Sequence, residues 1–241
     1  INFANSSNDD NRLEYCNFSN GSESGYEPYY GMINCNQSSP TITNSTISNG
    51  SSHGIYLFSS NSQISGNTIQ DMQFSAIYVS NYSKPEIFNN DILSVQNGLS
   101  IYSADNNIEV HSNVFNNTSN NSIYIENTAN IKIYDNEINN ADEAIYLYNC
   151  DYTQINNNLI SNSSYGIKSS GLNYFDIGNN ILSLNNSGIY IENGFCLSEG
   201  CNVYNNEISG CGVYGMFFRD NSSSYNFTIE KNLIYDNNYG I

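Results

Sequence analysis

Residues His53-Gly54-Ile55-Tyr56-Leu57-Phe58-Ser59-Ser60 read HGIYLFSS, and close variants return as AIYVSN (76–81), SIYIEN (122–127), AIYLYN (144–149) and GIYIEN (188–193). The small residue that opens the element falls at Gly54, Ala76, Gly98, Ser122, Ala144, Gly166, Gly188, Gly215 and Gly240, at steps of 22, 22, 24, 22, 22, 22, 27 and 25. Self-similarity at such a period is the mark of a stacked repeat, each unit too small to bury its own apolar face.

A second marker keeps step. The pattern I/V-x-x-N-x-I/L/F appears as ISGNTI, IFNNDI, VHSNVF, IYDNEI, INNNLI, IGNNIL, VYNNEI and IEKNLI, with fixed Asn at Asn67, Asn90, Asn113, Asn136, Asn158, Asn180, Asn206 and Asn232. ITNSTI around Ser45 is an earlier copy without the Asn. Each repeat thus holds three short stretches of period 2. No segment carries apolar residues at helical spacing, and Asn and Ser are poor helix-interior residues. The stretches have strand length and composition. Three strands in about 22 residues predict an all-β, single-stranded parallel β-helix with one coil per repeat, right-handed as parallel crossovers are. The fixed Asn is placed at a bend between the second and third strands. It is expected to suit the left-handed backbone there and to form an internal ladder with the Asn above and below.

This constellation resembles the parallel β-helix repeat family, the pectate-lyase-like superfamily that includes NosD-type periplasmic proteins. The resemblance covers about residues 31–241. It implies the fold and leaves function open, because the superfamily holds lyases, hydrolases, tailspikes, adhesins and passive scaffolds. Residues 1–30 are read as an N-terminal segment able to cap the first coil, and 31–241 as β-helix belonging to a longer product.

Composition narrows the partners. Six Lys and Arg against 23 Asp and Glu give a net charge of −17, which argues against nucleic acid and anionic membrane surfaces. There is no apolar run long enough for a membrane helix. Asn occurs 47 times, and fourteen N-x-S/T sequons lie at Asn5, Asn17, Asn20, Asn36, Asn44, Asn49, Asn81, Asn116, Asn117, Asn120, Asn162, Asn185, Asn221 and Asn226. Used, they would mean an extracellular or cell-surface glycoprotein. They avoid the IY strands and are read as avoiding the core. Cys16 with Cys35, and Cys196 with Cys201, are read as local disulfides of an oxidising compartment; Cys150 and Cys211 have no evident partner.

Strand alternation sends Ile55 and Leu57 inward and Tyr56 outward. One outward column reads Tyr56, Tyr78, Ser100, Tyr124, Tyr146, Lys168, Tyr190, Phe217; the next reads Phe58, Ser80, Tyr102, Glu126, Tyr148, Ser170, Glu192, Arg219. Three uses fit this broken aromatic stripe: cross-strand stacking, a glycan surface, or a protein contact face. In many enzymes of the resembled superfamily, the corresponding sheet carries the glycan groove. Glycosidic cleavage needs two carboxylates about 5–9.5 Å apart. Glu126 and Glu192 lie three coils apart, roughly 14 Å. Asp105 with Asp151, and Asp91 with Glu137, are two coils apart, about 10 Å. The Ca²⁺-binding acid cluster and the clustered Asp with Gly-His-Gly of the superfamily's enzymes have no match, and His53 and His111 stand alone. No catalytic residue, cofactor or metal site is assigned. The reading is a non-enzymatic, glycosylated surface protein such as a layer, sheath or filament subunit, with copies of itself, surface proteins or glycans as partners. The alternative is a carbohydrate-binding protein, lyase or glycoside hydrolase working on the Tyr face.

Overall fold

A computed structural model describes residues 1–4, 10–21, 30–194, 200–219 and 227–241. Asn5, Asn221, Asn226 and Cys196 lie outside the described residues. The described residues are all strand, turn and irregular chain, with no helix long and apolar enough to cross a membrane. Each coil contributes a first strand such as His53–Phe58, a second such as Gln63–Ser65 and a third such as Thr68–Met72. Among the described residues the strand pairings between coils are parallel and join equivalent strands; Ile77 sits beside Ile55, Ile87 beside Ile64 and Ile92 beside Ile69. The second strands form a ten-stranded sheet of their own. First and third strands share one hydrogen-bonded sheet, because Val114–Glu126 and Glu137–Tyr148 run unbroken from third strand into first.

The core is built of columns of aliphatic side chains, two from the first strand (through Ile55 and through Leu57) and one each from the second and third. Ile55, Ile77, Leu99, Ile123, Ile145, Ile167 and Ile189 fill one with no exposed surface. Each such side chain contributes about 1.5–3 kcal/mol by burial, so stacking, rather than any single coil, supplies the stability. The N-terminal segment takes part in the same pattern. Asn2–Ala4 pairs with Gly31–Asn36, Arg12–Glu14 with Thr41–Thr43, and Asn17–Ser19 with Thr46–Gly50. Phe3, Leu13 and Phe18 stand in the columns of Leu57, Ile64 and Ile69 and pack on the core. The coil pairing therefore begins upstream of residue 31.

The Asn ladder is built as a chain of amides. Asn90 donates its backbone N–H and its Nδ2 to Asn113 Oδ1, both at 3.0 Å, and Nδ2 also reaches Ile64 O at 2.9 Å. The same links run from Asn67 to Asn232. Ser45 and Cys16 continue the line: Ser45 N–H donates to Asn67 Oδ1, and Cys16 N–H donates to Ser45 Oγ. One expectation needs correcting. The ladder Asn are not the left-handed residues. Positive φ falls one position earlier, at Asn44, Gly66, Asn89, Ser112, Asp135, Asn157, Asn179, Asn205 and Lys231. The preceding residue turns the corner, and the ladder Asn is required for its buried amide.

The other two corners turn by the same device, for example at Ser59, Ser103 and Asn127, and at Asp71, Asn117 and Asn162. Among the described residues, sixteen of the thirty non-glycine residues with positive φ are Asn, the residue that tolerates this conformation best after Gly. The need for left-handed corners, three to a coil, accounts for much of the unusual Asn content.

The expected Cys16–Cys35 disulfide is absent: both are free thiols, as are Cys150 and Cys211. Cys35 lies in the first-strand core column between Phe3 and Leu57, whereas Cys16 occupies the ladder corner. Burial pushes the Cys35 and Cys150 thiols up to about 12 and Cys211 to about 11. Cys201 is not among the free thiols.

Candidate functional site on the outward faces

Parallel register places the outward residues as strand alternation requires. Tyr78 lies beside Tyr56, Tyr146 beside Tyr124, and Phe217 beside Tyr190. The stripe that looks broken in sequence is joined in three dimensions. At the Ser100 gap, Tyr78 stacks diagonally on Tyr102 at 5.2 Å between centroids, and Tyr102 meets Tyr124 at 5.3 Å. At the second gap the Lys168 ammonium lies 4.8 Å from the Tyr146 ring centre and 4.7 Å from that of Tyr165, and it pairs with Glu143. Tyr165 then meets Tyr190, and Tyr190 stacks on Phe217 at 4.7 Å. A ring-and-cation spine therefore runs from Tyr56 to Phe217. Tyr165, Glu143 and His53, which packs 4.7 Å from Tyr78, belong to this face and were not read from the sequence. They lie at the strand's entry, ahead of the small residue.

The spine faces itself. Tyr56 and Tyr78 stack at 5.4 Å and 17°, and Tyr56 is only 6% exposed. Tyr124 donates to Glu126 at 2.6 Å, and Tyr190 to Glu192 at 2.6 Å. Burial, then the bond to the carboxylate, raises both phenols, Tyr190 to about 12. Arg219 pairs with Glu192 at 2.7 Å. Much of the aromatic and carboxylate surface is thus engaged within the sheet. Tyr148 is exposed. Around Phe58 the face opens into a shallow depression of about 620 Å³, walled by Tyr30, Tyr56, Tyr78, Tyr82 and Tyr102. Tyr82 there is 74% exposed.

Two of the carboxylate pairs noted in the sequence keep their spacing. Glu126 and Glu192 are three register steps apart, and Asp91 and Glu137 two. A nearer pair sits on the second-strand sheet, where Glu86 is the direct neighbour of Glu109. Glu109 is bound to Lys132 at 2.7 Å and accepts from Tyr134 at 3.1 Å. The Lys132 contact, foremost, holds its carboxyl below the usual range. Applying alternation to QIS, EIF, EVH and KIY, as to the IY strands, is the signal that would have found this column.

Among described sequon residues, Asn17, Asn20, Asn36, Asn44, Asn49, Asn117 and Asn162 are exposed, and Asn81, Asn116 and Asn120 are half-buried. Asn185 departs from the expectation that sequons avoid the core. It is 1% exposed, its Oδ1 accepts from Ser163 N–H at 2.9 Å, and its Nδ2 donates to Ile160 O at 3.3 Å. With Asn237, which binds Cys211 N–H and Ile208 O in the same way, it belongs to a second, shorter ladder at the third corner. No glycan fits there.

No curated protein and no solved structure gives a significant match to the chain. A family model described as a right handed beta helix region matches residues 1–149 and again 121–241. Such a match is compatible with surface proteins and with enzymes alike. The chain belongs to the right-handed β-helix family.

Proposed function

We propose that this chain is a structural and adhesive β-helix of a secreted, N-glycosylated surface protein, working without turnover. The observation that carries the reading is the self-engaged outward face. Rings stack on one another along the axis, and Glu126 and Glu192 accept from their own sheet's tyrosines. Such a face stiffens a rod. The exposed sequon positions at the corners would carry glycans without touching the spine. A Cys196–Cys201 link would close a local loop, consistent with an oxidising compartment.

Adhesion is assigned to the aromatic depression around Phe58, because exposed Tyr82 and Tyr30 and half-buried Tyr102 offer ring surface beside the spine. Tyrosine-rich patches of this kind serve protein and glycan contacts. The test has two arms. Intact mass before and after glycosidase, on protein secreted from a eukaryotic host, reads the sequons; an unchanged mass removes the glycoprotein reading. A panel of surface polysaccharides, assayed for binding and for reducing-end release, reads the face. Binding lost in Tyr82→Ala and Tyr102→Ala without release supports adhesion, whereas release of reducing ends overturns the non-enzymatic assignment.

A further inference from the structure

The second-strand sheet carries its own outward columns, on a different sheet from the depression assigned above. Gln63, Glu86, Glu109 and Lys132 follow one another in register, and beside them run Ser65, Phe88, His111 and Tyr134. Phe88, His111 and Tyr134 form a parallel stack, with centroids 5.2 and 4.7 Å apart and rings within 5° and 9°. The stack ends at Phe88. Its other face turns toward Ser65, a side chain too small to cover an aromatic ring. At that step a groove of about 860 Å³ opens over neighbouring coils, lined among others by Gln63, Lys84, Glu86, Phe88 and Asn107.

Four of the polar groups around this ring are uncommitted. Glu109 is occupied by Lys132 and Tyr134. By contrast, among the described residues the Glu86 carboxylate, the Gln63 and Asn107 amides and the Lys84 ammonium make no side-chain hydrogen bond or ion pair. Here a ring face, a carboxylate, two amides and an ammonium line one groove. This is the combination that recognises a sugar: the ring takes the apolar C–H face, and the polar groups take the hydroxyls. Charge selects among sugars. Lys84 balances Glu86 locally, while the net charge of −17 repels polyanions. We infer that this groove is a binding site for a neutral oligosaccharide, with Phe88 as the stacking platform and Glu86 as the hydroxyl acceptor.

Isothermal titration of the folded chain with neutral hexasaccharides tests this, using β-1,4- and β-1,3-linked glucose, β-1,4-linked mannose and α-1,4-linked glucose as probes. Oligogalacturonate and chitosan hexaose serve as the charged arms. At least one neutral hexasaccharide is expected to bind, with affinity falling about tenfold or more in Phe88→Ala. Removing Phe88 also removes a partner of His111, so Glu86→Gln, which keeps the shape of an exposed side chain, is the second variant. It is expected to weaken binding severalfold, with an unchanged thermal melt. Tyr102→Ala, on the other sheet, should leave this binding intact. The inference is overturned if no neutral hexasaccharide binds, if only the charged oligomers bind, or if binding survives both Phe88→Ala and Glu86→Gln. Loss with Tyr102→Ala alone would assign the sugar to the aromatic depression and likewise overturn it.

Discussion

Removing one rung of the Asn ladder should cost far more than removing a surface Asn. In Asn136→Ala, the Oδ1 that accepts from Asn113 N–H at 3.0 Å and from Asn113 Nδ2 at 3.1 Å is lost. So is the Nδ2 that reaches Val110 O, Tyr134 O and Asn158 Oδ1, each at 3.0 Å. Asn113 is 1% exposed, so its N–H has no water to turn to. A stranded buried donor costs about 1–3 kcal/mol, and each lost hydrogen bond about 0.5–1.5 kcal/mol net. The sum is about 3–5 kcal/mol, or about 6–20 °C in melting temperature for a chain of this size. Since coils of a solenoid need not unfold together, urea melts followed by circular dichroism should be joined to hydrogen exchange at the Asn113 amide. That amide should lose protection ahead of distant coils. The control is Asn139→Ala: Asn139 is half-buried and exchanges amide bonds with Asn116 and Asn162 on the surface, and its loss should cost under about 1 kcal/mol. Equal effects of the two substitutions would refute the ladder argument. In Asn136→Asp a carboxylate would face three oxygens, raising its folded pKa above the unfolded value of about 3.9, so its deficit should shrink as pH falls through that raised value and the acid regains a donor.

Other expectations follow from the corners and the thiols. Leu184 turns its corner at φ +56° while 65% exposed, so Leu184→Asn should raise stability by about 0.5–1 kcal/mol in urea titration. A Cβ on Gly98 would clash with Ser122 O and stand 2.6 Å from Phe115 Cδ1, so Gly98→Ala should lower stability by about 1–3 kcal/mol. A neutral result would mean the coils can part there without strain. Cys35, Cys150 and Cys211 have folded pKa values raised to about 12, 12 and 11, against about 8.5 in an unfolded chain. Their contribution is fully present below about pH 8.5 and is lost as pH climbs toward the folded values. The urea midpoint should therefore drop between pH 8 and about pH 10.5, and a thiol reagent should label these three only after unfolding; rapid labelling of the native protein would contradict it.

How legible the chain was depends on how each feature is encoded. Ile55, Ile64 and Ile69 recur at fixed offsets, so coil length, strand register and the inward columns could be read directly. Tyr56 and its successors followed from alternation. The N-terminal coil was missed because Phe3, Leu13 and Phe18 fill the core columns without any IY or fixed-Asn marker around them. The ladder was legible, but its mechanism was not: the residue with unusual φ and the residue with the buried amide are chain neighbours, both often Asn, and only coordinates separate them. Diagonal contacts such as Tyr78 on Tyr102 depend on ring tilt across coils, which no linear column records. The Glu86–Glu109 neighbours were legible in principle, since EIF and EVH occupy the same repeat position.

The corners also bear on what the sequons mean. A corner places a left-handed residue, often Asn, just before an inward position that favours a small hydroxyl or amide. In Asn44-Ser45-Thr46 and Asn162-Ser163-Ser164 the Asn turns the chain and the Ser that follows is the ladder residue, so the sequon Asn has a structural reason of its own, while the sequon hydroxyl is the next residue, Thr46 or Ser164. In Asn116-Asn117-Thr118 the middle residue turns and buried Thr118 follows. Corner geometry thus accounts for the Asn of the first two triplets and the hydroxyl of the third with no glycan required, and sequon number alone is weak support for glycosylation. Asn185 separates the two causes. If it is there for its amide, Asn185→Gln should lower stability by about 1–3 kcal/mol even in protein made without glycosylation, because Ser163 N–H and Ile160 O lose a buried partner. Asn36→Gln, exposed and with ordinary φ, should stay within about 0.5 kcal/mol. Stability unchanged by Asn185→Gln in unglycosylated protein would sink the corner account and return that sequon to the glycan.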